Sequence, residues 1–319
     1  MRRIIVLLLL VLMLAPLGVF ASGQGESGGA KVVGFSQVDN QNPWRLAETE
    51  SMKSEAAKRG YTLKYSDGQA VQANQIAAVR DFIAQGVDGI ILAPKTSTGW
   101  EPVLREAKEA GIPVVLVDRD VDAPKDLVVT FIGSDFVQEG ERIAKMMIED
   151  LGEGPYNVAE LQGQPGADPT IDRKTGFENV INQYPAIKIT MSQTGEFNRT
   201  QGKQVMEAFL QANAQNIDVV YAHNDDMAIG AIQAIKEYGL TPGKDIYVAS
   251  IDGVRDAFVA LKAGELNACV ECNPLLGPKA YDALEAAWAG KTLDDWIVQK
   301  DNAFKAADVD QAVLDSRKY

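Results

Sequence analysis

Pro113-Val114-Val115-Leu116-Val117-Asp118-Arg119-Asp120 decides the fold of this chain. A Gly-Ile-Pro turn leads into four consecutive valine and leucine residues, and the run ends abruptly in three charged ones. A continuously apolar run of this length reads as a central parallel strand buried on both faces. In an open parallel sheet, ligands bind in the crevice beyond the carboxyl ends of the strands. A carboxylate beside a guanidinium at that point places a strong acceptor and a forked donor at the mouth of a cleft.

The same pattern extends in both directions. From Lys31 onward, strand-like and helix-like segments alternate, which predicts an α/β protein with parallel sheets covered on both faces. The final strand is expected near Ile297 to Phe304. The halves echo each other: Val87-Asp-Gly-Ile-Ile-Leu-Ala-Pro94 is matched by Ile217-Asp-Val-Val-Tyr-Ala-His-Asn224, and Val115-Leu-Val-Asp118 by Ala249-Ser-Ile-Asp252. Two doubly wound domains joined by a hinge follow, with polar strand ends on both walls of one crevice.

The amino terminus reads as an address. Arg2 and Arg3 precede the apolar run Ile4 to Leu14, with small residues around Ala21, the pattern of a secretory signal peptide over residues 1–21. The run is short for a membrane span, and no cysteine near the expected cut offers a lipid attachment point. Residues 22–30, rich in Gly and Ser, read as a flexible lead-in. The roughly 300 residues that remain call for two domains. The net charge of −13 becomes more negative once Arg2 and Arg3 are removed, which disfavours nucleic acid and anionic membranes as partners. The only cysteines stand in Cys269-Val-Glu-Cys272. Residues three apart on a strand point to opposite faces, so two buried thiols are expected rather than a disulfide.

Loops after strands carry the polar groups: Asn42 to Arg45, Asp118-Arg119, the turn around Arg173, Phe197-Asn198, His223 to Asp226, Asp252 and Glu271. In this context the chain resembles the periplasmic sugar-binding proteins of the ribose-binding type, type I periplasmic binding proteins that serve ABC importers. Within them it is most similar to the galactofuranose-binding branch. The segments that carry the resemblance are Val-Gly-Phe-Ser-Gln-Val, Trp-Arg-Leu-Ala-Glu-Thr, Gly-Trp-Glu-Pro-Val-Leu, Ile-Asp-Arg-Lys-Thr-Gly-Phe, Tyr-Ala-His-Asn-Asp-Asp-Met and Ser-Ile-Asp-Gly-Val. Together, in this order, they cover essentially everything after Lys31.

The resemblance implies ligand contacts at Asn42, Trp44, Arg45, Asp118, Arg119, Arg173, Phe197, Asn224, Asp252 and Glu271. It implies one lobe of residues 31–131 plus 272–298 and another of 132–271 plus 299–319. It also implies a monomer in the periplasm that holds a neutral monosaccharide, uses no cofactor or metal, and delivers its ligand to an ABC transporter permease. A chemoreceptor is a further partner to consider. Ribose binders usually carry a second aromatic where this chain has Arg45, which points away from ribose and towards a hexose furanose, galactofuranose first.

The residue chemistry agrees with a sugar. Trp44 and Phe197 offer rigid faces for C–H surface, the carboxylates accept, and the arginines and Asn224 donate. Three carboxylates against three guanidiniums predict a neutral ligand, since buried charge is costly unless paired. Catalysis has little to work with. His223 is the only histidine, so a triad built on a second histidine or a multi-histidine metal site has no material. The arginines beside the candidate acids are expected to depress their pKa values rather than raise them. No Gly-x-Gly-x-x-Gly follows the first strand, and Asp168, Asp172, Asp225 and Asp226 do not follow calcium-loop spacing. A regulator with this two-lobe fold would carry a helix-turn-helix where this chain has an export signal.

Overall fold

The computed structural model describes residues 29–317 and residue 319; the expected export signal at 1–21 and the expected lead-in up to residue 28 lie outside them. The chain opens β1 (Val32–Gln37), α1 (Pro43–Arg59), β2 (Thr62–Asp67), α2 (Gln72–Ala84), β3 (Gly89–Leu92), α3 (Glu101–Glu109), β4 (Val114–Val117) and β5 (Thr130–Gly133). It continues α4 (Phe136–Leu151), β6 (Tyr156–Gln162), α5 (Asp168–Ile181), β7 (Ile187–Thr194), α6 (Arg199–Asn213), β8 (Val219–Ala222) and α7 (Asp225–Tyr238). It closes with β9 (Tyr247–Asp252), α8 (Arg255–Ala263), β10 (Ala268–Glu271), α9 (Gly277–Trp288), β11 (Trp296–Val298), β12 (Ala303–Lys305) and α10 (Gln311–Ser316).

Two six-stranded sheets result, in the orders β11-β5-β4-β3-β1-β2 and β12-β10-β9-β8-β6-β7. All pairings are parallel except β10 with β12. The valine-leucine run is β4, fully buried between β3 and β5. Parallel sheets need helical crossovers, and these cover both faces of each sheet. The chain passes between the sheets after β5, after β10 and after β11. Among the described residues, no helix is long and apolar enough to cross a membrane.

The end of the chain corrects the sequence reading. The single strand expected near Ile297 to Phe304 is two short strands in different sheets, β11 parallel to β5 and β12 antiparallel to β10. The polar link 299–302 carries the chain across. Cys269 and Cys272 are both free and buried.

Helices α4 and α5 touch backbone to backbone. A Cβ on Gly140 would lie 2.2 Å from the carbonyl oxygen of Arg173, and one on Gly176 would lie 2.0 Å from that of Val137. Only glycine permits this approach, and it fixes the helix from which Arg173 projects. Gly140→Ala is therefore expected to force the helices apart, destabilising the fold by about 1–3 kcal/mol. A urea midpoint equal to that of the wild type would show that this contact does not constrain the pair.

Candidate functional site

The carboxyl ends of β4 and β9 face the same cleft, and each ends in an aspartate with strained backbone. Asp118 has φ 65° and Asp252 has φ 133°, a region that side-chain-bearing residues rarely adopt. Such strain persists where surrounding contacts over-determine it, and it concentrates at functional sites. Glu196 and Phe197 also have φ 57°, in the turn that brings the Phe197 ring into the cleft. The tip of that ring packs against Gly163, where a Cβ would sit 1.9 Å from its Cζ.

On the first wall, Arg45 in the opening turn of α1 is buried. Its Nη2 donates to Asp118 Oδ2 at 2.5 Å and its Nη1 to Glu48 Oε2 at 2.8 Å. Glu48 also accepts from Gln37 Nε2 at 3.0 Å. On the second wall, Arg173 donates from Nε to Glu139 Oε2 at 2.8 Å, from Nη1 to the His223 carbonyl at 2.5 Å and from Nη2 to Asp252 Oδ1 at 3.2 Å. His223 is a buried packing residue with Nε2 3.0 Å from Glu160 Oε1.

Arg119 reaches between the walls. Its Nη1 donates to the Lys95 carbonyl at 2.9 Å and to Gln164 Oε1 of the opposite lobe at 3.2 Å, and its guanidinium lies 5.6 Å from the Phe197 ring. Trp44 is tied to the crossing after β10: its Nε1 donates to the Cys272 carbonyl at 2.6 Å, and Arg45 lies over its ring at 4.8 Å. Ser97 N donates to Gly166 O at 3.0 Å and Asp120 N to Asp168 Oδ2 at 3.1 Å. The lobes are closed on one another.

The pocket between them holds about 460 Å³ of space between atoms, open solvent at its mouth included. Nine of the ten expected residues line it: Asn42, Trp44, Arg45, Asp118, Arg119, Arg173, Phe197, Asn224 and Asp252. Asn42 and Asn224 also cap helices, accepting from Arg45 N at 2.8 Å and Met227 N at 3.0 Å. Glu271 is the exception. Its carboxylate is engaged by Arg317, by Asn302 Nδ2 at 2.9 Å and by the Tyr319 hydroxyl at 3.2 Å, so the chain terminus holds it away from the lining.

Asp39, Gln41, Gln164, Pro169, Glu196 and Cys272 line the pocket without having been singled out. Gln41 and Glu196 adjoin the loops at Asn42 and Phe197, Gln164 adjoins none of them, and Glu48, behind the wall, is readable from its i,i+3 spacing to Arg45. Asp39 and Cys272 gave no such signal. The balance of charge shifts accordingly. Four lining carboxylates, Asp39, Asp118, Glu196 and Asp252, face three guanidiniums, a set still close to neutral and without surplus positive charge for an anion. Among the described residues, no cluster of His, Cys, Asp or Glu could hold a metal ion.

The expectation that arginines would depress the candidate acids holds at Glu271, which Arg317 lowers against the effect of burial, and fails at Asp252, where burial dominates. Loss of solvent pushes Glu48 and Glu139 up to about 7 despite Arg45 and Arg173. It raises Asp252 as well, against the pull of Arg173, and lowers Arg119 to about 10, with Arg45 adding to the effect.

With fold and cleft described, the chain takes its place among known proteins: it belongs to the periplasmic binding protein domain family, whose model matches residues 33–292. It is 51% identical over 289 residues to the galactofuranose-binding protein YtfQ of Escherichia coli K12, covering 90% of this chain and 91% of that one. Two solved structures superpose closely. The periplasmic binding component of the arabinose ABC transporter from Shewanella sp. ANA-3, bound to α- and β-L-arabinofuranose, is 48% identical with a TM-score of 0.87, over 90% of this chain and 96% of that one. A protein from Mycobacterium smegmatis in complex with β-D-fucofuranose is 47% identical with a TM-score of 0.88, over 91% and 96%.

The buried acids set a pH dependence. Burial holds Glu48, Glu139 and Asp225 near 7, and Asp168 and Asp301 near 6. Raised folded-state pKa values mean that the native chain binds more protons than the unfolded one between about pH 4 and 7, so stability falls as pH rises through that window. His223, which burial lowers, acts in the opposite sense below about pH 6.5, and acids held low by their partners, Glu160 and Glu271 among them, do so below about pH 5, so the raised acids govern the change from pH 5.5 upward. The melting temperature of the ligand-free protein is expected to be higher at pH 5.5 than at pH 8; a higher value at pH 8 would contradict these assignments.

Proposed function

We propose that this protein captures one neutral monosaccharide between its lobes in the periplasm and hands it to the permease of an ABC importer, without chemical change. The observation that carries this reading is the pocket itself. Trp44 and Phe197 supply rigid aromatic faces, and buried arginines and carboxylates converge on one enclosed space with nearly balanced charge. Aromatic cover suits the C–H faces of a sugar, and paired donors and acceptors suit its hydroxyls. The lobes are the two sheets with their helices, and the three inter-sheet crossings act as the hinge; residues 1–21 serve as the export signal. Hinged closure of this kind is a known mode of ligand capture.

A furanose hexose is the favoured ligand, galactofuranose first. The likeness to YtfQ and to the two furanose-bound structures supports it, and so does Arg45 in place of a second apolar face. A site built to hydrogen-bond a hydroxyl rejects analogues that lack it by several orders of magnitude; the exocyclic diol of galactofuranose is such a group, and ribose lacks it.

Isothermal titration of protein stripped of bound ligand with galactose, arabinose, ribose and glucose tests this reading. At about 100 times its Kd, a true ligand stabilises the fold by roughly 2.7 kcal/mol, and the sugar should be recovered unchanged. Tighter binding of ribose than of galactose, or a reaction product, would overturn the assignment.

Two substitutions locate the ligand. Asp118→Ala leaves Arg45 short of an acceptor in a dry cleft, at a cost on the order of 1–3 kcal/mol, so affinity should fall at least tenfold in a folded variant. Arg45→Phe should shift preference away from galactose. Unchanged affinities in Arg45→Phe would mean that Arg45 only braces Asp118 and Glu48.

A further inference from the structure

The two walls share a motif that the ligand-facing residues do not explain. In each lobe an arginine that lines the pocket is clamped between an aspartate at a strand end and a glutamate behind it: Asp118-Arg45-Glu48 in one, Asp252-Arg173-Glu139 in the other. Neither glutamate lines the pocket. Glu48 is 0% and Glu139 2% exposed, where an acid is seldom kept without a task. Their geometry matches in detail. Each presents Oε2 to its arginine at 2.8 Å, and Oε1 of each has no hydrogen-bond partner among the described residues.

Resting on the sugar-binding reading, we infer that Glu48 and Glu139 are positioning residues for ligand recognition, each aiming one guanidinium so that its remaining N–H groups point into the cleft. A guanidinium is a planar fork whose value lies in its orientation. At Arg45 the aspartate in front fixes one nitrogen only; at Arg173 Asp252 and the His223 carbonyl hold Nη2 and Nη1, and Nε is left to the acceptor behind. The glutamate behind completes the clamp: Glu48 takes Nη1 of Arg45 while Asp118 takes Nη2, and Glu139 takes Nε of Arg173 while Asp252 takes Nη2. Other groups near Glu48 are Asp118 and Gln37, and near Glu139 they are Asp301 and Cys272. Only the arginines offer a cation to either.

Glutamate and glutamine both accept through an oxygen, whereas methionine fills a similar volume and cannot. With whichever of D-galactose and L-arabinose the wild type binds, Glu139→Met should weaken binding at least tenfold, and Glu139→Gln should recover most of that loss. In the double-mutant cycle, Arg173→Ala combined with Glu139→Met should bind no more weakly than Arg173→Ala alone, because one residue acts through the other. The same pattern is expected for Glu48 with Arg45. Independent multiplying losses, or a Gln variant as weak as the Met variant, overturn the inference. A second measurement needs no sugar and no Met variant: nitrogen NMR of the ligand-free wild type should show slowly rotating, resolved guanidinium signals for Arg45 and Arg173. Freely averaging signals for both would overturn positioning, whereas resolved signals in a protein that binds neither sugar would leave positioning standing and sink the sugar reading alone.

Discussion

A guanidinium taken out of water must find acceptors, and three of them share this cleft. Burying an ion costs several kcal/mol unless it is paired and hydrogen-bonded, so the positions of Arg45, Arg119 and Arg173 dictate much of what surrounds them. Two strand ends adopt strained backbone to deliver Asp118 and Asp252. Two helices deliver Glu48 and Glu139 from behind. The carbonyls of Lys95 and His223 complete the coordination. The sheets, the crossovers and the close approach of α4 to α5 are the scaffold that these contacts require.

The electrostatics follow from the same burial. Glu48, Glu139 and Asp252 are each pulled down by an arginine and pushed up by lost hydration, and lost hydration wins at all three. Pairing therefore does not guarantee an ionised acid in a dry site, because the attraction between partners must exceed the solvation both have lost. Raised acids in a cleft can mark general acid catalysis. Here the two that sit near 7 face arginines from behind and do not line the pocket, which places them out of reach of a bound molecule.

Most of the architecture was legible because parallel strands announce themselves. Val114 to Val117 must be apolar on both faces, and the charged residues that follow must lie at the carboxyl edge, where the crevice is. Helix starts were equally readable: Asn42 and Asn224 precede helices and cap them, although capping alone does not reveal that they also line a pocket. Two things were not legible. Strands of three residues, such as β11 and β12, carry too little pattern to be separated, and their partners are set by tertiary pairing. Glu271 looked like the equivalent of other strand-end acids, yet Arg317 and Tyr319, distant in sequence, claim its oxygens. Glu139 was hidden for a related reason, since its partner lies 34 residues away on a different helix and nothing local links them.

The two walls are alike but not identical. Each contributes an aspartate, an arginine and a glutamate in the same relation. Arg119 has no counterpart among the clamped arginines. It lies over Phe197, reaches Gln164 across the cleft and pairs through Nε with Asp118 Oδ2 at 3.3 Å. Lowered to about 10 by burial, it remains charged at physiological pH. The clamped arginines form a frame common to both walls, and Arg119 is the cation that reaches between them and breaks their symmetry.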